Sequence, residues 1–222
     1  MEKYSLIVVS LVISWGSLFS QQDPKAKVVL DRLSEKTKKY TSYSSNFTII
    51  TENKQDKSTN TQKGLIIVSE KKYHLLLSNS EIFFDGKTQW NFLQESNEVN
   101  ITNPEPNPKP KTEDIFLNDP TRIFNIYQTD FKYKYVGENV CNGRQCDEID
   151  LYPNSLMKNY FRIKLFIDKS KTELVQFKTY GKTGSNFQID FIDFNPNIPV
   201  SEKDFFFDMH VHPGVEVNDL RL

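Results

Sequence analysis

From Tyr43 onward the chain is a long succession of short alternating segments separated by hairpin-sized turns, and this constrains its fold more than any other feature. Tyr43–Glu52, Lys63–Ser69, Tyr73–Leu77, Glu81–Phe84, Thr88–Leu93 and Glu98–Thr102 form a first series. Phe131–Val136, Asp147–Tyr152, Tyr160–Asp168, Glu173–Tyr180 and Ser185–Phe194 form a second. Ser78-Asn79, Asp85-Gly86, Glu95-Ser96-Asn97 and Gly181-Lys182-Thr183-Gly184 supply turn chemistry between them. Within Gln89-Trp90-Asn91-Phe92, polar and apolar residues alternate cleanly, the mark of a sheet wet on one face. Eleven strands joined this way predict sequential antiparallel pairing, and an open sheet that long must curl. It either closes as a barrel or stays open with helices filling its hollow.

Two helical regions interrupt the strands. Asp23 caps the first and Pro24 sits in its first turn, while Ala26, Val29, Leu30, Leu33, Thr37 and Tyr40 recur at helical spacing. Such an amphipathic helix must lie on something. Between the two strand series, Asn103–Lys111 carries Pro104, Pro106, Pro108 and Pro110 and reads as an extended loop. Two short helices follow it. Ile115, Phe116 and Leu117 are apolar in one, capped from Thr112-Glu113-Asp114, and Ile123, Phe124 and Tyr127 in the other. An insertion of this kind often serves as a lid; its candidate residues are Ile115, Phe116, Ile123 and Phe124.

Residues 1–20 predict the compartment. Leu6–Phe19 is an unbroken run of fourteen residues, short of the roughly 20 a membrane span needs and suited to a signal peptide. Cleavage is expected near Ser20, leaving residues 21–222 as one exported domain, with a retained N-terminal anchor as the alternative. A formal charge of −1 gives no electrostatic case for nucleic acid or an anionic membrane as partner. Cys141 and Cys146 are the only cysteines, and in an oxidising compartment a disulfide across the tight turn between them is expected.

Motifs for catalysis are absent: no GxSxG, HExxH or P-loop pattern occurs, and neither cysteine stands beside a histidine. Asp147, Glu148 and Asp150 alternate with apolar residues and read as a solvated strand face. His210 and His212 would share one strand face as a metal pair, but no carboxylate or cysteine clusters with them. We therefore expect no enzyme, no metal and no cofactor. What remains is apolar surface, with 17 Phe and 10 Tyr. It either fills a core or lines a hollow for an aliphatic ligand. Taking all alternating strands to turn one face inward, the lining would be Phe47, Ile49, Leu65, Ile67, Tyr73, Leu75, Phe83, Trp90 and Phe92.

The order of these segments resembles the LolA family of periplasmic outer-membrane lipoprotein carriers. The resemblance rests on the opening helix ending at Tyr40, Ser45-Asn46-Phe47-Thr48, Gly64-Leu65-Ile66-Ile67-Val68 and the hairpin Asp85-Gly86-Lys87-Thr88-Gln89-Trp90. It continues through Ile163–Asp168 and Leu174–Phe177 to Phe205-Phe206-Phe207 and the closing Gly214–Arg221. It implies a mainly β fold, an eleven-stranded, incompletely closed barrel with short lid helices over an apolar cavity. It also implies a monomeric chaperone that accepts the acyl chains of lipoproteins from an inner-membrane ABC transporter and hands them to an outer-membrane acceptor. Such cargo needs shelter: at about 0.8 kcal/mol per methylene, one long acyl chain contributes on the order of 10 kcal/mol to membrane retention. A sensory or regulatory lipid- or protein-binding module on the same half-barrel is the alternative. The family's lid-holding Arg-Pro is replaced here by Ser69-Glu70-Lys71-Lys72-Tyr73. Lys71 or Lys72 are the candidates to substitute, without arginine's forked donors.

Overall fold

In the computed structural model, residues 22–104 and 115–221 are described. The expected leader, the Pro-rich loop beyond Pro104 and the Thr112–Asp114 cap lie outside them. The chain opens with α1 (Pro24–Thr37), where the Asp23 carboxylate accepts from the backbone N–H groups of Lys25 and Ala26. Six strands follow: β1 (Ser42–Asn53), β2 (Ser58–Ser69), β3 (Lys72–Leu77), β4 (Ser80–Phe84), β5 (Gln89–Leu93) and β6 (Glu98–Thr102). The insertion carries α2 (Ile115–Asn118) and two 3₁₀ turns, Pro120–Arg122 and Ile126–Gln128. The second series is β7 (Phe131–Cys141), β8 (Arg144–Pro153), β9 (Tyr160–Asp168), β10 (Leu174–Gly181) and β11 (Ser185–Pro196). Two 3₁₀ turns, Glu202–Phe205 and Met209–Val211, lead to β12 (Glu216–Asp219).

All twelve described strands belong to one open sheet, in the order β12-β6-β5-β4-β3-β2-β1-β11-β10-β9-β8-β7. The two strand series are therefore two meanders joined where β1 pairs antiparallel with β11. The sheet does not close; its edges are β12 and β7. The eleven strands expected from alternation are present. The twelfth is an addition, and it pairs parallel to β6, placing Val217 beside Val99. A parallel strand needs a long return, supplied here by the C-terminal segment from β11. Curvature comes from bulges, at Asn46/Phe47 against β11, at Tyr135/Gly137 against β8 and at two points between β9 and β10.

The bulk of the apolar side chains face the concave side. Phe47 and Ile49 from β1, Ile66 and Val68 from β2, Ile149 and Leu151 from β8, Ile163, Leu165 and Ile167 from β9 and Phe177 from β10 are all buried there. α1 closes over them with Ala26, Val29, Leu30 and Leu33. Its N-terminal end also protects the β7 edge. The Gln22 side chain bonds both the Phe131 carbonyl and the Tyr133 N–H, and Asp23 accepts from the Tyr135 N–H at 2.9 Å.

A second apolar cluster lies on the opposite face of β4–β6. It comprises Phe83, Trp90, Phe92, Val99 and Ile101, covered by Phe207 of the C-terminal segment. The same sheet thus changes sides at β4: apolar on the concave face from β7 to β4, where Ile82 and Phe84 pack, and apolar on the convex face from β4 to β6.

Candidate functional site

Cross-strand register decides which residues share the hollow. Phe47 pairs with Gly64, Ser45 with Ile66 and Tyr43 with Val68. Ile66 then meets Leu75, and Val68 meets Tyr73. Phe47, Ile49, Tyr73 and Leu75 therefore do face the concave side together. Leu65 and Ile67 do not, because they sit one residue off that line and pair with Leu76 and His74 on the convex face. Phe83, Trp90 and Phe92 also lie on the convex face, where Phe83 pairs with His74 and Trp90. Alternation reports parity within a strand but not which side of the sheet that parity faces, so a one-residue offset moves a whole strand's set across. The concave positions that sequence reasoning missed are Ile66, Val68, Ile82 and Phe84, with Phe187, Ile189 and Phe191 from β11.

Over this face lies the insertion, and its apolar side chains are driven into the hollow. Phe116 is 1% exposed, Ile123 2% and Phe124 6%. The Phe116 ring meets Phe47 edge-on at 5.3 Å between centroids and Phe191 at 6.0 Å. Phe124 meets Tyr43 edge-on at 5.6 Å. Ile115 is half-buried against the same core. The candidate lid residues are thus brought together, and they act as a plug.

The polar contacts of the plug go to α1. Ser34 Oγ donates to Asn125 Oδ1 at 2.5 Å, and Gln128 Nε2 donates to Ser34 Oγ at 3.3 Å. The Tyr127 hydroxyl donates to Asp31 at 2.7 Å, and Asp31 is also paired with Lys27. Lys27 and Tyr127 hold the Asp31 carboxyl below its ordinary range. Asp119 caps the first 3₁₀ turn by accepting from Thr121, and it faces the buried hydroxyls of Tyr43 and Tyr73. Burial, reinforced by that carboxylate, pushes both phenols well above their ordinary value.

Lys71 and Lys72 stand elsewhere. Lys71 is exposed, and Lys72 contacts both carboxylate oxygens of Glu202 at 2.6 Å. Lys72 shares the convex side with His74, so it ties down the C-terminal segment. The insertion is held by Asp31 and Ser34 of α1, residues that a search for a basic side chain after β2 could not find.

At the mouth of the hollow is a cavity of about 280 Å³, lined by Lys38, Tyr40, Tyr43, Glu70, Thr121 and Asn125 among others. It opens where α1 ends and where the first lid turn crosses β2.

Other expected features are rearranged. Asp147, Glu148 and Asp150 are not a solvated row, since all three are buried at 8% exposure or less. Asp147 faces inward and accepts from the Tyr135 hydroxyl at 2.8 Å. Glu148 and Asp150 face outward, neutralised by Lys164 and Arg162. Burial lowers the Lys164 pKa from its ordinary value. Residues 209–211 form a 3₁₀ turn, not a strand. His210 is exposed there, while His212 stacks on Phe207 at 4.5 Å. Among the described residues, no group of three or more His, Cys, Asp or Glu could hold a metal ion.

Cys141 and Cys146 are free, buried thiols. The two-residue turn Asn142-Gly143, with φ of 49° and 74°, sets Cys141 opposite Arg144 and Cys146 opposite Asn139. Diagonal positions of this kind lie roughly 7–8 Å apart, against about 4.4–6.8 Å for the Cα atoms of a disulfide. The register thus makes the two thiols diagonal neighbours in one small apolar cluster with Val175.

Comparison with known proteins agrees with this architecture. The profile of the family described as outer membrane lipoprotein carrier protein LolA matches residues 16–135. That span runs through α1, the β1–β6 meander and the lid. A search of curated proteins finds no match. Among solved structures, an uncharacterized conserved protein from Thermus thermophilus superposes with a TM-score of 0.57 at 10% identity, covering 88% of this chain and 99% of that one. A LolA superfamily protein from Nitrosomonas europaea aligns at 11% identity with a TM-score of 0.43, covering 83% and 98% of the respective chains. At 10% identity the first of these likenesses describes the fold alone. Because the family profile spans more than half of the sequence, this chain belongs to the LolA family of outer membrane lipoprotein carrier proteins.

Proposed function

We propose that this protein is a periplasmic carrier that receives the acyl chains of lipoproteins beneath its lid and delivers them to an outer-membrane acceptor. An inner-membrane ABC transporter is the donor in this reading, and residues 1–20 are the leader that exports the chain. One observation carries it: the concave face is plugged by side chains of a short insertion, which is held to α1 by a few hydrogen bonds.

A cavity of about 280 Å³ falls at the lower limit of small-ligand pockets, roughly 300–1,000 Å³. Acyl cargo must therefore displace Phe116, Ile123 and Phe124 from the hollow. Exposing three such side chains costs about 5–9 kcal/mol, and each methylene buried in their place returns about 0.8 kcal/mol. Some six to eleven methylenes offset the opening. One long acyl chain is enough to do so, and no covalent chemistry is needed. The four concave residues Phe47, Ile49, Tyr73 and Leu75, joined by Ile66, Val68 and Phe191, would line the cargo site. Among the described residues, no helix is long and apolar enough to cross a membrane.

The test is release. The purified protein, incubated with spheroplasts, is expected to bring acylated lipoproteins into the supernatant, and native mass spectrometry should show lipoprotein or lipid bound. Substituting Phe116→Trp would report lid displacement by a change in emission on loading. If no lipoprotein is released and organic extraction leaves the native mass unchanged, the carrier reading fails. A single stoichiometric regulator recovered in its place would support the sensory alternative.

A further inference from the structure

The β8–β9 hairpin ends in a tip that no core residue covers. Leu156 is 85% exposed and Met157 89%, adjacent in sequence at the turn Asn154–Asn159. Scattered exposed apolar residues need no explanation, but two neighbouring large ones at a protruding tip do. Just behind them, a bulge between β9 and β10 leaves Phe161 49% exposed beside Tyr180. The hairpin is also braced. Lys182 donates its Nζ to the Leu156 carbonyl and its backbone N–H to Asn159 at 2.7 Å, and Ser155 Oγ accepts from the Met157 N–H. Its exposed side chains are therefore presented by a held loop.

Charge in the turns around the tip is mostly basic, although the exposed Asp130 adjoins the β8–β9 turn, its carbonyl accepting from the Asn154 N–H at 2.8 Å. Antiparallel order brings the β8–β9, β10–β11 and β1–β2 turns to the same end of neighbouring strands, and Lys54 N–H bonds the Gly184 carbonyl at 3.0 Å to join two of them. These turns carry Lys158, Lys182, Lys54 and Lys57 against one carboxylate, Asp56, in a chain whose net charge is −1. Exposed apolar side chains beside lysines from three turns at one end of the sheet match a bilayer interface with anionic headgroups. A protein partner would instead be met by a broader, flatter apolar patch with a mixed polar rim.

We propose that the β8–β9 tip docks this protein on the surface of an anionic phospholipid bilayer, with Leu156 and Met157 entering the interface and the lysines of the three turns holding headgroups. The cavity beside Tyr40 and Glu70 lies at the opposite ends of β1 and β2. Docking therefore leaves that mouth facing away from the membrane and open to partners. The proposal does not depend on which cargo the hollow takes.

Flotation with vesicles tests it directly. The purified protein is mixed with vesicles of phosphatidylethanolamine and phosphatidylglycerol, or of phosphatidylcholine alone. Binding is expected only to the anionic vesicles, and high salt should weaken it. Leu156→Ser with Met157→Ser should reduce affinity at least about tenfold, since interfacial binding scales with buried apolar area. Lys57→Gln with Lys158→Gln should reduce it about 25-fold, at about fivefold per lysine. Leu156, Met157 and Lys57 are exposed and Lys158 is half-buried, and unchanged thermal unfolding will show that the variants fold. Equal binding to both vesicle types, no binding to either, or full binding by the Leu156/Met157 variant would overturn the proposal. So would self-association in sedimentation that this variant abolishes without any vesicle binding.

Discussion

Gly64→Ala is the substitution that most directly probes how the sheet and the lid are coupled. A Cβ at Gly64 would lie 2.3 Å from Phe47 Cζ, 2.7 Å from its Cε2 and 2.6 Å from the Leu76 carbonyl oxygen. The carbonyl belongs to the β2–β3 ladder and moves only if that pairing moves. The Phe47 ring, 0% exposed, has Phe116 on its other side at 5.3 Å between centroids. Added volume at Gly64 must therefore distort a strand pair or push the lid outward. Over-packing of this kind costs about 1–3 kcal/mol, which lowers Tm by roughly 2–12 °C in a chain of this size. Circular dichroism melts would measure that fall, and hydrogen exchange over residues 115–128 would show faster opening of the lid. Phe47→Leu removes the ring that collides, so the double variant should be more stable than the two separate losses predict, by at least about 0.5 kcal/mol. Additive losses, or a Gly64→Ala melt indistinguishable from the parent, would refute the reasoning.

Three further outcomes follow from other contacts. Asp31 has its pKa depressed below 3.8 by Lys27 and Tyr127. Its contribution is thus present above that value and lost as pH falls through the lower folded value, so lid exchange should accelerate in strong acid in the parent but not in Asp31→Asn. The Cys141 and Cys146 thiols are raised by burial to about 12 and about 11. Both should react slowly with a disulfide reagent at pH 8 when folded and promptly in urea; silence in urea would mean that the two are bridged. Phe207, 1% exposed and packed on Phe92 at 5.2 Å, anchors the C-terminal segment. Phe207→Ala should cost about 3–5 kcal/mol and speed amide exchange in β12 while leaving the Lys27–Asp31–Tyr127 contacts intact, a selectivity readable by exchange mass spectrometry.

The convex cluster around Phe207 fixes β4–β6 from outside, while the concave face of the same strands is more polar, with Gln89, Asn91 and Asn100 in register there. The apolar hollow therefore ends near β3 and β4, and the lid needs to cover only the region from Phe47 to Phe191. Lys72 and Glu202 reinforce this outside packing. The position that resembled a lid control is structural bracing for the far side of the sheet.

Much of the architecture was legible in residue order. Period-two alternation located eleven strands, because a half-buried strand must place apolar side chains on every second position. Asp23-Pro24 and the spacing from Ala26 to Leu33 marked α1, since its cap and apolar stripe are local properties. Ile115, Phe116, Ile123 and Phe124 stood out as apolar residues in an interruption of the strand series. None of these readings required knowledge of a distant neighbour. The remaining features did. Whether Leu65 or Ile66 faces the hollow depends on its pairing with β1 and β3, and whether Trp90 points in or out depends on Phe207, more than a hundred residues later. The parallel pairing of β12, the diagonal placement of Cys141 and Cys146 and the Ser34–Asn125 and Asp31–Tyr127 contacts likewise arise from register and long-range packing. Sequence alone determined the strands, the opening helix and the interrupting lid, because those follow from local periodicity and capping; only the tertiary structure decided which face of each strand became the hollow, because that choice belongs to pairs of strands and not to either one.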